Sequence, residues 1–150
     1  YIFCVPFFMN CQSIYRDSRI QAVPLNKLSP MSTHGDGREQ WKTLPTMKSE
    51  GMYYPVHVCK VDAKLWYNQV MRIAPKKQAL QHQPIVNEDG LIWGVKMGCN
   101  RFLTAEMLEY DSIDCIIHPT LDLCVQWARY FQHVDPLHNE NPEPFQGKFF

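Results

Sequence analysis

Ile85-Val86-Asn87-Glu88-Asp89-Gly90-Leu91-Ile92-Trp93-Gly94-Val95 is the stretch on which the fold turns. Two apolar arms flank four polar residues, and Asp89-Gly90 supplies the left-handed position that a tight reversal demands. The pattern predicts a hairpin over 85 to 95. Downstream, Arg101 to Leu108 and Tyr110 to Ile117 read as short helical turns. His118-Pro119 then opens a longer helix, because proline at the first helical position gives up an amide that has no partner there anyway. Within that helix Leu121, Cys124, Val125 and Ala128 form one apolar stripe, and Leu123, Trp127, Tyr130 and Val134 form another, so burial on two sides is expected. It should stop near Asp135-Pro136.

Upstream the pattern weakens. Residues 75 to 84, rich in Gln and Lys and bracketed by Pro75 and Pro84, read as a connector. Leu65 to Ile73 suits a helical stripe through Trp66, Val70 and Ile73, and suits a strand as well. Tyr53 to Val61 alternates, with Tyr54, Val56 and Val58 on one face and His57, Cys59 and Val61 on the other, which predicts a strand. Residues 26 to 51 form a long polar loop punctuated by Ser29-Pro30, Gly35-Asp36-Gly37 and Pro45. The first 25 residues look extended, with Pro6 and Pro24 confining any strand there to an edge or a start. The organisation expected is a strand-rich segment over 1–74, a connector over 75–84, and a hairpin, short helices and long helix over 85–150.

The chain has 150 residues, 45% of them hydrophobic, which supports one ordinary core. Fifteen basic residues balance fifteen acidic ones, so no global field recruits nucleic acid or anionic lipid. The apolar run from Tyr1 to Met9 is broken by Pro6 and falls short of the roughly 20 residues of a membrane span. Neither a membrane nor direct nucleic-acid contact is expected. Six cysteines without a Cys-x-x-Cys pair read as buried reduced thiols, pointing to a cytoplasmic or nuclear setting. The chain begins at Tyr1 without an initiator Met, as a piece of a larger protein would.

Residues 85–134 resemble a PAS domain. The Asp89-Gly90 hairpin looks like that family's opening pair of strands, and Ser112-Ile113-Asp114-Cys115-Ile116-Ile117-His118-Pro119-Thr120-Leu121-Asp122 is similar to its apolar helix, His-Pro step and acidic entry to a long helix. The resemblance implies an α+β fold, an antiparallel sheet with helices packed on one face. The remaining strands would come from Tyr53 to Val61 and Trp66 to Ile73, as part of a preceding repeat. The function implied is a regulatory sensor or protein-interaction domain rather than an enzyme. Its partner would be another protein domain, such as a second PAS domain, and it would hold a small apolar ligand. Trp93, Phe102, Ile113, Ile117, Leu121 and Cys124 would line that interior or interface. Gly98-Cys99-Asn100-Arg101-Phe102-Leu103 is similar to the flavin-reactive motif of the light-sensing branch, with the thiol one place early. A slip of one residue turns a helical side chain by about 100 degrees, so no flavin is expected.

Other residues suggest a rival chemistry. Cys115-x2-His118 followed by His133-x4-His138 has the paired spacing of a small zinc site. A zinc-binding or thiol-dependent enzyme using these four is the alternative. His133-x-Asp135 matches two of the three ligands of an iron oxygenase and lacks a distal third. His57 with Cys59, and Cys115 with His118, set a thiol near an imidazole that would lower its pKa. No phosphate-cradling glycine loop or nucleophile elbow is present.

Overall fold

The computed structural model describes residues 9–31, 47–49, 51–73 and 83–134. Its frame is a mixed sheet of six strands: β1 (Asn10–Cys11), β2 (Ile20–Pro24), β3 (Leu28–Pro30), β4 (Val56–Val61), β5 (Ile92–Met97) and β6 (Ser112–His118). The order is β1-β6-β4-β5-β3, with β2 also on β6. Pairings β1–β6, β4–β6 and β3–β5 are parallel, while β2–β6 and β4–β5 are antiparallel. The all-antiparallel sheet expected from the sequence is therefore corrected to a mostly parallel one. Strands from both halves of the chain interleave in it, β4 lying between β5 and β6.

β6 carries three neighbours on two edges. β2 runs along residues 112–116, and both β1, at 112–113, and β4, at 115–118, overlap that span. β1 and β4 therefore share the opposite edge, end to end. A strand flanked in this way shows water neither edge, and its burial is nearly continuous from Ser112 to Ile116. This corrects the helical reading of residues 110 to 117. An unbroken apolar run has no period to betray it, and only its β-branched Ile113, Ile116 and Ile117 spoke for a strand.

Among the described residues three longer helices cover both faces of the sheet rather than one. α1 (Ala63–Ile73) and α3 (Leu121–Val134) lie on one side, where Trp66, Val70 and Cys124 pack with Met31, Cys59, Val61 and Ile92. On the other side α2 (Cys99–Met107) sets Phe102 and Ala105 against Val56, Val58, Val95, Ile113 and Cys115. The alternation read for Val56 to Val61 holds residue by residue. Each fully buried aliphatic side chain contributes about 1.5–3 kcal/mol, so the two layers together form the core.

Local chemistry explains the helix starts. Asp62 caps α1, its carboxylate accepting from the Leu65 amide at 2.8 Å, which settles residues 65 to 73 as helix. Thr120 caps α3 through its hydroxyl and the Leu123 amide at 3.2 Å. The Asp89-Gly90 turn forms as expected, with Gly90 at φ +77 and its amide on Asn87. Its first arm shrinks to a single bridge between Val86 and Ile92, so only the second arm enters the sheet. Of the polar loop expected over 26 to 51, residues 28–30 are β3 and 47–49 a helical turn. Most of the connector at 75 to 84 lies outside the described residues. Among the described residues, no helix is long and apolar enough to cross a membrane.

Candidate functional site

At the end of β5 the chain turns through Gly98, at φ +95, directly into α2. A Cβ at Gly98 would lie 2.6 Å from Val56 Cγ1 and 2.9 Å from Arg101 Nη2. The turn is therefore closed to any side chain, by backbone conformation and by space. Arg101 is buried, and its guanidinium donates to the carbonyls of Tyr54 at 2.5 Å and Pro55 at 3.4 Å. These bonds staple the first turn of α2 to the chain entering β4 and fix a cation at the helix start. The first amide bond inside the helix is that of Phe102 to Gly98 at 2.8 Å. Helix geometry aims the amides of Cys99, Asn100 and Arg101 out of the helix end, where the macrodipole favours negative charge.

Cys99 occupies the first position of this turn. Cys11, Cys59, Cys115 and Cys124 are buried, and Cys99 alone of the five described cysteines is partly exposed. Its thiol donates to the Val95 carbonyl at 3.2 Å. Burial pushes Cys11 up to about 11 and pushes Cys115 up further still, so neither ionises at neutral pH.

On the other face of the sheet, two imidazoles meet. His57 of β4 and His118 of β6 are both buried, with Nδ1 of the first 2.9 Å from Nε2 of the second and the rings nearly parallel. One nitrogen donates and the other accepts, so the pair is neutral. Burial, reinforced by mutual repulsion and by Arg101 and Arg19, holds His57 well below its usual range. Burial and Arg19 bring His118 down to about 4. Trp127 of α3 stacks against His118, and the Arg19 guanidinium lies 3.8 Å from the Trp127 ring centre. Asp17 grips Arg19 and is itself lowered to about 2 by that contact. Such a pair, sealed beneath Trp127, is a structural clamp between strands rather than a titrating acid and base.

Beside it lie three sulfurs. The Cys59 thiol donates to the Met31 thioether at 3.5 Å, and Cys124 lies in the same buried cluster. Gly94, the cross-strand partner of Cys59, makes room for this: a Cβ there would stand 2.4 Å from Met31 Sδ.

The sequence-derived sites separate in space. Cys115 and His118 stand on one strand three positions apart, so their side chains point to opposite faces and cannot share a metal. The Cys115 thiol bonds to the Ile113 carbonyl at 3.3 Å and His118 bonds to His57. His133 falls within α3, and His138 lies outside the described residues. Among the described residues no three His, Cys, Asp or Glu side chains gather to hold a metal ion. Trp93, Phe102, Ile113 and Ile117 belong to the α2 face, while Leu121 and Cys124 belong to the α1–α3 face. Trp93 sits at the sheet's rim, its indole donating to Asp89 at 3.0 Å beneath the Lys60 ammonium. The sequence did mark Cys99 and Arg101, through the Gly98-to-Leu103 motif, but attached them to a different chemistry.

No family model matches the chain, and no curated protein is similar to it. Among solved structures the fold is similar to the crystal structure of sulfiredoxin from Arabidopsis thaliana, with a TM-score of 0.42 and 18% identity over 73% of this chain and 96% of that one. The expectation of a regulatory sensor or partner-binding domain is corrected here. The six apolar positions assigned to one interior are divided between two faces of the sheet.

Proposed function

We propose that this chain is a thiol-dependent enzyme domain whose nucleophile is Cys99, acting on an anionic electrophile seated at the start of α2. One observation carries the reading. The partly exposed thiol shares a turn with outward-aimed amides and the buried Arg101 cation, and Gly98, having no side chain, lets Val56 and Arg101 pack directly against that turn. A thiolate forming there gains from the helix terminus and the guanidinium, the same groups that receive the substrate's negative charge. In the resting state the Cys99 thiol donates to the Val95 carbonyl; ionisation releases that proton to solvent and frees the thiolate as the nucleophile.

Native-state alkylation with iodoacetamide, read by mass spectrometry at about pH 7, tests this. Cys99 should be modified well ahead of the buried thiols, and inorganic phosphate should slow the reaction. Labelling of Cys99 no faster than that of Cys11 or Cys115, or a rate indifferent to phosphate, removes the reading.

A further inference from the structure

We infer that the Cys99 site takes a dianionic substrate, whose second negative charge is received by Lys27 and Lys60 at the rim beside Trp93. The inference rests on Cys99 being the nucleophile and names the class of molecule it acts on. Position supports it first. Trp93 and Cys99 pack against the same core layer, the one that α2 covers. Trp93 and Val95 stand two residues apart on one face of β5, about 7 Å along the strand, and the Cys99 thiol is 3.2 Å from the Val95 carbonyl. The indole rim therefore lies within roughly 10 Å of the attacking sulfur. A monoanion fills only the place at the start of α2, whereas a dianion of that span fills both.

Charge is the second support. The Lys60 ammonium lies 4.6 Å from the centre of the Trp93 ring and the Lys27 ammonium 5.7 Å from it. Lys60 is the partner of Trp93 on β4, and Lys27 directly precedes Leu28, its partner on β3, so the two cations reach one ring from the two sides of β5. Asp89 offsets only one of them, its Oδ2 standing 3.5 Å from the Lys60 ammonium and 3.0 Å from the indole nitrogen. A close ammonium–carboxylate bond measures about 2.7–2.9 Å, so Lys60 keeps donors for a ligand. Lys27 is exposed and makes no ion pair among the described residues. The array is also held in advance: Asn87 donates to the Lys27 carbonyl at 2.9 Å while Asp89 grips the indole. Groups fixed before the ligand arrives lose less freedom on binding it.

The test compares two aromatic disulfides, the dianionic 5,5′-dithiobis(2-nitrobenzoate) and the neutral 2,2′-dithiodipyridine. With either, the Cys99 thiolate attacks one sulfur, a mixed disulfide forms, and the other half of the reagent leaves as an absorbing thiolate or thione. The Cys99 rate is the part lost in Cys99→Ser, scaled to each reagent's rate with a neutral free thiol. The native chain should favour the dianion about tenfold, and about 1 M salt should erase that ratio without any substitution. Lys27→Gln and Lys60→Gln should each cut it about threefold, with circular dichroism showing that both variants are folded. Lys60→Arg, which keeps the charge, and Lys64→Gln, on α1, should preserve it. A native ratio near one, or a ratio that the Lys27→Gln/Lys60→Gln pair leaves unchanged, overturns the subsite while Cys99 keeps its role. Reaction of Cys99 with neither reagent ends both readings.

Discussion

Asp114 shows what a single side chain does in this fold. It sits buried in β6 and accepts from the Asn10 amide group at 2.9 Å, the Ser13 amide at 2.9 Å, the Ser13 hydroxyl at 3.3 Å and the Arg16 guanidinium. Removing it strands those donors, and Asp114→Ala should cost about 3 kcal/mol. Arg16 is 54% exposed, so Arg16→Ala should cost about 1 kcal/mol or less. Urea midpoints of the two variants measure the difference, and equal losses would contradict it. Gly98→Ala should lower the midpoint by the equivalent of about 2 kcal/mol, since a Cβ must both adopt a left-handed backbone and displace Val56. It should also slow alkylation of Cys99. In the sequence Asp114 is one acid in an apolar run, and nothing local announces donors about a hundred positions away.

At the scale of elements, legibility followed the presence of a period or a cap. β4 alternates because one face meets α2 and the other meets α1 and α3, so its pattern was readable. The Asp89-Gly90 turn was readable because φ above zero selects glycine. The long helix was expected from Pro119 and begins at Leu121, after Thr120 takes the cap. β6 was hidden because both faces and both edges are covered, which erases alternation. The second arm of the hairpin formed a strand, and the first did not, since β4 and β3 already occupy the two edges of β5. The candidate catalytic turn was half legible. Gly98, Cys99 and Arg101 stood out as letters, but the contact of Arg101 with Tyr54 and Pro55 is tertiary.

For the whole molecule, the imidazole clamp ties stability to pH. His57 and His118 are neutral when folded and have a usual value near 6.5 when exposed, with His118 lowered to about 4 in the fold. Between those values the unfolded chain binds protons that the folded chain refuses. Stability is therefore complete above about pH 6.5 and falls as the pH drops toward 4, by about 1.4 kcal/mol per pH unit for each imidazole. Urea unfolding from pH 7.5 down to 4.5 should show this slope, and His118→Gln should flatten it. An unchanged slope in that variant would place the acid sensitivity elsewhere. Asp17, lowered to about 2, adds its own loss only in stronger acid.

The three neighbours of β6 arrive early in synthesis, and β6 itself arrives late. Asn10–Cys11, Ile20–Pro24 and Val56–Val61 leave the ribosome long before Ser112–His118, the segment that joins them. Until then β1 and β2 have no strand to pair with, and β4 has one open edge. A nascent chain arrested before residue 112 has cleared the exit tunnel should thus remain open to protease and to capture by chaperones. Protection should come in one step when the last strand slots into the gap.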